Sequence, residues 1–166
     1  AITGRVAITF TLKDAGRPLA LDFTPLKGVR SVRTPATPIS YTIVPDHIVL
    51  PPESLQEGRN EILIDFVAGD EALNRHPDFL YTLFVPARAH LTFPVFDQPD
   101  LKARWTLGLD VPAGWLALAN AAQVDADAEA CRERFAGGDH LDARPGNAAR
   151  EQIEAVVRIG HWLDGE

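Results

Sequence analysis

Residues able to do chemistry are present but scattered along the chain. His140 lies in Gly138-Asp139-His140-Leu141-Asp142, where three potential metal ligands share one short turn. Such a turn needs further ligands from elsewhere to close a coordination shell, so a solvated loop is the plainer reading. Cys131 and His140 could be paired as nucleophile and base, yet Cys131 sits in a charged stretch with no oxyanion donor. The other histidines, His47, His76, His90 and His161, show no HExxH spacing. Asp97 with Asp100, and Asp125 with Asp127, are acid pairs of the kind used in acid–base catalysis or calcium binding. Nothing local draws either pair into a cleft. Trp105 and Trp115 could form a sugar-stacking platform, but Trp105 falls on the apolar side of its own strand pattern and is expected in the core. These residues therefore define no catalytic residue, no metal site and no cofactor of this chain.

The elements that would have to position such residues are mostly strands. Val6, Ile8, Phe10 and Leu12 alternate with Arg5, Thr9 and Thr11 as in a half-buried strand. Asp14 to Pro18 supplies turn chemistry, and Leu19, Leu21 and Phe23 restart the alternation. Further strands are expected over 29–33, around Ile39, Tyr41 and Ile43, and over 47–50. The clearest is at Ile62, Ile64, Phe66 and Ala68, and two more follow over 103–111 and 115–119. Strands at this spacing predict an all-β domain, a β-sandwich or related open β architecture, over residues 1–120. From residue 121 the alternation stops. Ile153, Val156, Val157, Gly160 and Leu163 recur at helical spacing, so 121–166 is expected to be a helical tail, with a weaker helix over 126–135.

Bulk properties narrow the class. At 166 residues the chain is one domain by length. A net charge of −7 with no basic stripe argues against a nucleic-acid partner. No apolar run reaches the roughly 20 residues of a membrane span, so a soluble protein of cytoplasm or periplasm is expected. One cysteine excludes an intramolecular disulfide framework, and the lack of any methionine predicts a chain cut from a longer reading frame.

The most distinctive passage is Phe79-Leu80-Tyr81-Thr82-Leu83-Phe84-Val85-Pro86-Ala87-Arg88-Ala89. It is followed by Phe93-Pro94-Val95-Phe96-Asp97-Gln98-Pro99-Asp100-Leu101-Lys102-Ala103. It closely resembles the N-terminal β domain of the aminopeptidase N family of zinc metallopeptidases, with Arg88, Phe93, Pro94, Phe96, Asp97, Pro99 and Lys102 on the family's structural motif. The resemblance covers about residues 4–120 and does not extend into 123–166. It implies a twisted antiparallel β-sandwich, saddle-like in form, beside a zinc-binding catalytic domain whose HExxH and GxMEN motifs are both missing here. The chain alone is therefore expected to be inactive, with zinc and peptide substrate belonging to a full-length relative.

The resemblance also implies a substrate-facing role for the segment before Pro86. The polar side chain that contacts the substrate's amino group in the family is replaced here by Leu83 or Val85. These two are expected either to line the wall of the substrate cleft or to pack under the loop. Arg88 and Asp97 are expected to form a structural salt bridge that clamps the loop. The expected function is that of the truncated N-terminal domain of an aminopeptidase. The alternatives are a stand-alone, non-catalytic interaction module and, more weakly, a sugar-binding sandwich using Trp115. Self-association through the apolar stripe of the C-terminal helix is a further expectation.

Overall fold

The computed structural model describes residues 2–77, 79–111, 115–127, 132–137 and 153–161. Strand alternation builds the core as the sequence indicates. In β1 (Ile2–Leu12) Val6, Ile8 and Phe10 point inward, and in β6 (Gly58–Val67) Ile62, Ile64 and Phe66 do the same. The antiparallel register sets Val6 opposite Ile64 and Ile8 opposite Ile62, so inward positions coincide across the ladder. β3 (Val29–Arg33) adds Val32 beside Ile64 and closes that edge.

A second layer covers this face. β2 (Leu19–Asp22), β4 (Thr42–Val44) and β5 (His47–Leu50) form a three-stranded antiparallel sheet in the order β2-β5-β4. Its Leu21, Ile48 and Leu50 join Phe23 and the residues of β1 and β6 in one buried cluster. Phe23 meets Phe66 edge-on, with ring centroids 5.8 Å apart. Each fully buried apolar side chain of this size contributes about 1.5–3 kcal/mol. β7 (Leu73–Arg75) and β8 (Leu80–Thr82) form a separate two-stranded hairpin.

The large sheet continues through β9 (Ala103–Asp110), β10 (Ala122–Asp127), β11 (Arg132–Gly137) and β12 (Ile153–His161). Its order is β10-β11-β9-β12-β1-β6-β3, with β9 and β12 the parallel pair. The domain is thus mostly β with antiparallel sheets, as expected. The expected helical tail is corrected. Ile153–His161 is a strand paired along both edges, to β1 and to β9. The segment holds four β-branched residues in nine, Ile153, Val156, Val157 and Ile159, and its apolar positions fit period two as well as 3.6. Two waiting ladders then favour the extended form, because they satisfy every backbone group. The described parts of 126–135 are likewise strands, β10 and β11, paired with each other. Residues 115–119, expected as a strand, belong to no regular element. Cys131, His140 and Leu163 lie outside the described residues. Among the described residues, no helix is long and apolar enough to cross a membrane.

Candidate substrate-facing surface

The distinctive passage folds as a strap running from the hairpin β7–β8 to β9. Alternation in its first half divides the side chains. Leu80 and Phe84 are half-buried and Thr82 is exposed, while Phe79, Tyr81, Leu83 and Val85 stand 49%, 52%, 53% and 72% exposed. Leu83 and Val85 therefore do not pack under the loop. They form the end of an outward apolar stripe on which His76 stacks over Phe79 at 4.3 Å and Phe79 over Tyr81 at 6.3 Å.

The turn after Val85 is held by the backbone and by Arg88. The Arg88 N–H donates to the Phe84 carbonyl at 2.9 Å, and Ala87 takes a positive φ of 46°. That left-handed conformation costs a residue with a Cβ roughly 1–2 kcal/mol, which the surrounding contacts must offset. Arg88 Nη2 donates to the Glu71 carbonyl at 2.9 Å, tying the strap to the segment before β7. Gly69 lets the strap approach closely, since a Cβ there would lie 2.1 Å from the Leu91 carbonyl oxygen.

The expected Arg88–Asp97 salt bridge is not what holds the loop. Asp97 Oδ2 instead accepts the His90 backbone N–H at 3.0 Å and faces His90 Nδ1 at 2.5 Å. A second carboxylate, Asp22 at the end of β2, completes the staple. Its Oδ2 accepts the Asp97 N–H and Gln98 Nε2, each at 2.9 Å, while Asp22 and Val95 exchange two backbone bonds. His47 Nδ1 lies 3.1 Å from Asp22 Oδ1, in contact but without hydrogen-bond geometry. Asp22 went unread in the sequence because 75 residues separate it from Asp97. An exposed-looking aspartate at a strand end carries no local signal of such a partner.

The aromatic residues of the motif anchor the strap from below. Phe93 is buried and meets both Phe84 and Trp105 edge-on at 5.4 Å. Phe96 meets Phe10 at 5.7 Å, and Pro94 is fully buried. Trp105 packs against the core as expected, whereas Trp115 is 43% exposed. Pro99 and Lys102 lie at the surface. Two shallow concavities share Thr34, Glu53 and Ser54, and neither is lined by strap residues.

Among the described residues, no three His, Cys, Asp or Glu side chains converge as metal ligands. The His90–Asp97 and His47–Asp22 contacts serve the staple. These four residues do not make a zinc site.

Fold and strap together define a β domain with an exposed apolar row on its strap. The family model of the Peptidase M1 N-terminal domain matches residues 1–136, and the chain belongs to that family. Native yeast LTA4 hydrolase has the same fold over 81% of this chain, with 16% identity and a TM-score of 0.67. The M1 zinc metallopeptidase of Deinococcus radiodurans superimposes over 83% at 15% identity and a TM-score of 0.64. A variant of that enzyme bound to a Tyr-Ser-Ala substrate superimposes over 84% at 17% identity and 0.60. No curated protein sequence matches significantly. The chain spans 23% of the yeast protein and 34–35% of the Deinococcus ones.

Proposed function

We propose that this chain works as the substrate-facing N-terminal domain of a zinc-dependent aminopeptidase that removes residues from peptide N-termini. The zinc and its ligands would lie in a catalytic domain outside these residues. Leu83 and Val85 would form one wall of the cleft near the first residue of the peptide. The observation that carries this reading is the exposure of Val85, 72%, on a strap pinned by Arg88, Asp97 and Asp22. An apolar side chain held out on a rigid support is suited to meeting a ligand or another domain.

Neither side chain accepts a hydrogen bond or balances an ammonium, so the substrate's amino group would be held by the catalytic domain. A buried ammonium without such a partner costs several kcal/mol. The wall would favour apolar over basic first residues. The test is Val85→Glu in a protein that joins this domain to its catalytic domain. Because the site is exposed, the change should alter stability by less than about 0.5 kcal/mol. Kinetics across a series of peptides should show a gain for basic first residues. An unchanged selectivity profile would remove Val85 from the cleft.

A further inference from the structure

We propose that Phe84 sets the depth of the cleft wall and so acts as the positioning residue for first-residue selectivity. This rests on the cleft reading of Leu83 and Val85 and adds the group that fixes their place. Both wall residues are more than half exposed, so their own packing holds them weakly. Ladder pairing stops at Thr82, where β8 ends, one residue short of Leu83. Between the two stands Phe84, half-buried and packed against the core cluster. Successive side chains of an extended segment point to opposite sides. Whatever seats Phe84 therefore also sets how far its two neighbours stand out.

The seat is aromatic and is closed by backbone bonds. The Phe84 ring meets Phe93 edge-on, with centroids 5.4 Å apart and planes at 85°. Phe93, itself buried, meets Trp105 of β9 at 5.4 Å and 69°. Edge-on pairs of this kind fix geometry as well as burying area. Two turns bring the phenylalanines together. The Arg88 N–H donates to the Phe84 carbonyl at 2.9 Å, and the Phe93 N–H donates to the Ala89 carbonyl at 3.1 Å. The series Phe84, Phe93, Trp105 thus runs from the wall to the large sheet.

Wall depth converts into selectivity. A group that meets a substrate has to be held to within roughly 0.5 Å, and a misplacement of about 1 Å costs on the order of 100-fold in rate. One methylene of misfit in an apolar pocket is worth about 10- to 200-fold. A smaller side chain in place of the Phe84 ring leaves room in front of Phe93, and Leu83 and Val85 settle inward. The cleft deepens, which favours larger apolar first residues over smaller ones.

The test measures kcat/KM for peptides that differ only in the first residue, in the protein that joins this domain to its catalytic domain. Phe84→Leu should raise the ratio of phenylalanine to alanine as first residue roughly tenfold. Phe84→Tyr, which keeps the ring, should hold the parent's ratio. Trp105→Phe, one step further back, should move the ratio the same way by less, and it carries the test should Phe84→Leu not fold. A lowered melting temperature with an unchanged ratio in the folded variants would make Phe84 a packing residue only and overturn the proposal. Val85→Glu, measured across basic and apolar first residues, separates the two readings. If it alters selectivity and the Phe84 and Trp105 variants do not, only the positioning role falls. If it alters nothing, the cleft reading falls and the positioning role with it.

Discussion

At the residue scale, charged side chains in this domain hold strands and straps in place. Arg5 Nε donates to Asp65 Oδ1 at 2.6 Å across the β1–β6 ladder, and Ser31 Oγ donates to Asp65 Oδ2 at 2.7 Å from β3. The Arg5 hydrogen bond holds the Asp65 carboxyl below its ordinary value, against an opposing push from partial burial. A carboxylate whose folded pKa is depressed adds stability above its unfolded pKa, near 3.9, and that stability is lost as pH falls through the folded value. Arg5 is more than half exposed, so solvent keeps the contribution below about 1 kcal/mol. Asp65→Asn should thus be slightly less stable than the parent at neutral pH and equal to it at the acid end. Urea unfolding across a pH series checks this, and a gap independent of pH would show that Asp65 acts through packing alone.

At the element scale, β12 links the two halves of the large sheet. It lies between β1 and β9, opposite both Val6 and Leu107 at Val157. Without it the sheet divides into β10-β11-β9 and β1-β6-β3, each with a newly open edge. Proline at a central strand position removes a ladder donor and is confined in sheets to edges, strand starts and bulges. Val157→Pro should therefore cost about 1–3 kcal/mol, the cost of leaving a ladder acceptor unpaired, read as a lowered urea midpoint. A change within about 0.5 kcal/mol, the range of an ordinary surface site, would mean that β12 does not hold the sheet together.

At the scale of the whole molecule, the chain is an M1 N-terminal domain spanning about a quarter to a third of its structural relatives' chains. The sequence has no HExxH and, lacking methionine, no GxMEN strand. Purified by itself, the 166-residue chain should hold no stoichiometric zinc and cleave no aminoacyl reporter. Metal analysis and a turnover assay with and without chelator measure this. One tightly bound zinc per chain, with chelator-sensitive turnover, would contradict the outcome.

The core strands and the family motif were legible in the sequence because both are local. Alternation at Val6-Ile8-Phe10 and Ile62-Ile64-Phe66 states which side is buried, whatever the partner. The order of Arg88, Phe93, Pro94, Phe96 and Asp97 was enough to mark the strap. Tertiary structure alone decided which groups those residues meet. Asp97 chose His90 and Asp22 over Arg88, because Asp22 and Val95 pair two segments that a loop of some 70 residues separates. The state of residues 153–161 was equally undetermined by sequence. Their apolar pattern suits both helix and strand, and the open slot between β1 and β9 selects the strand by pairing its backbone on both sides.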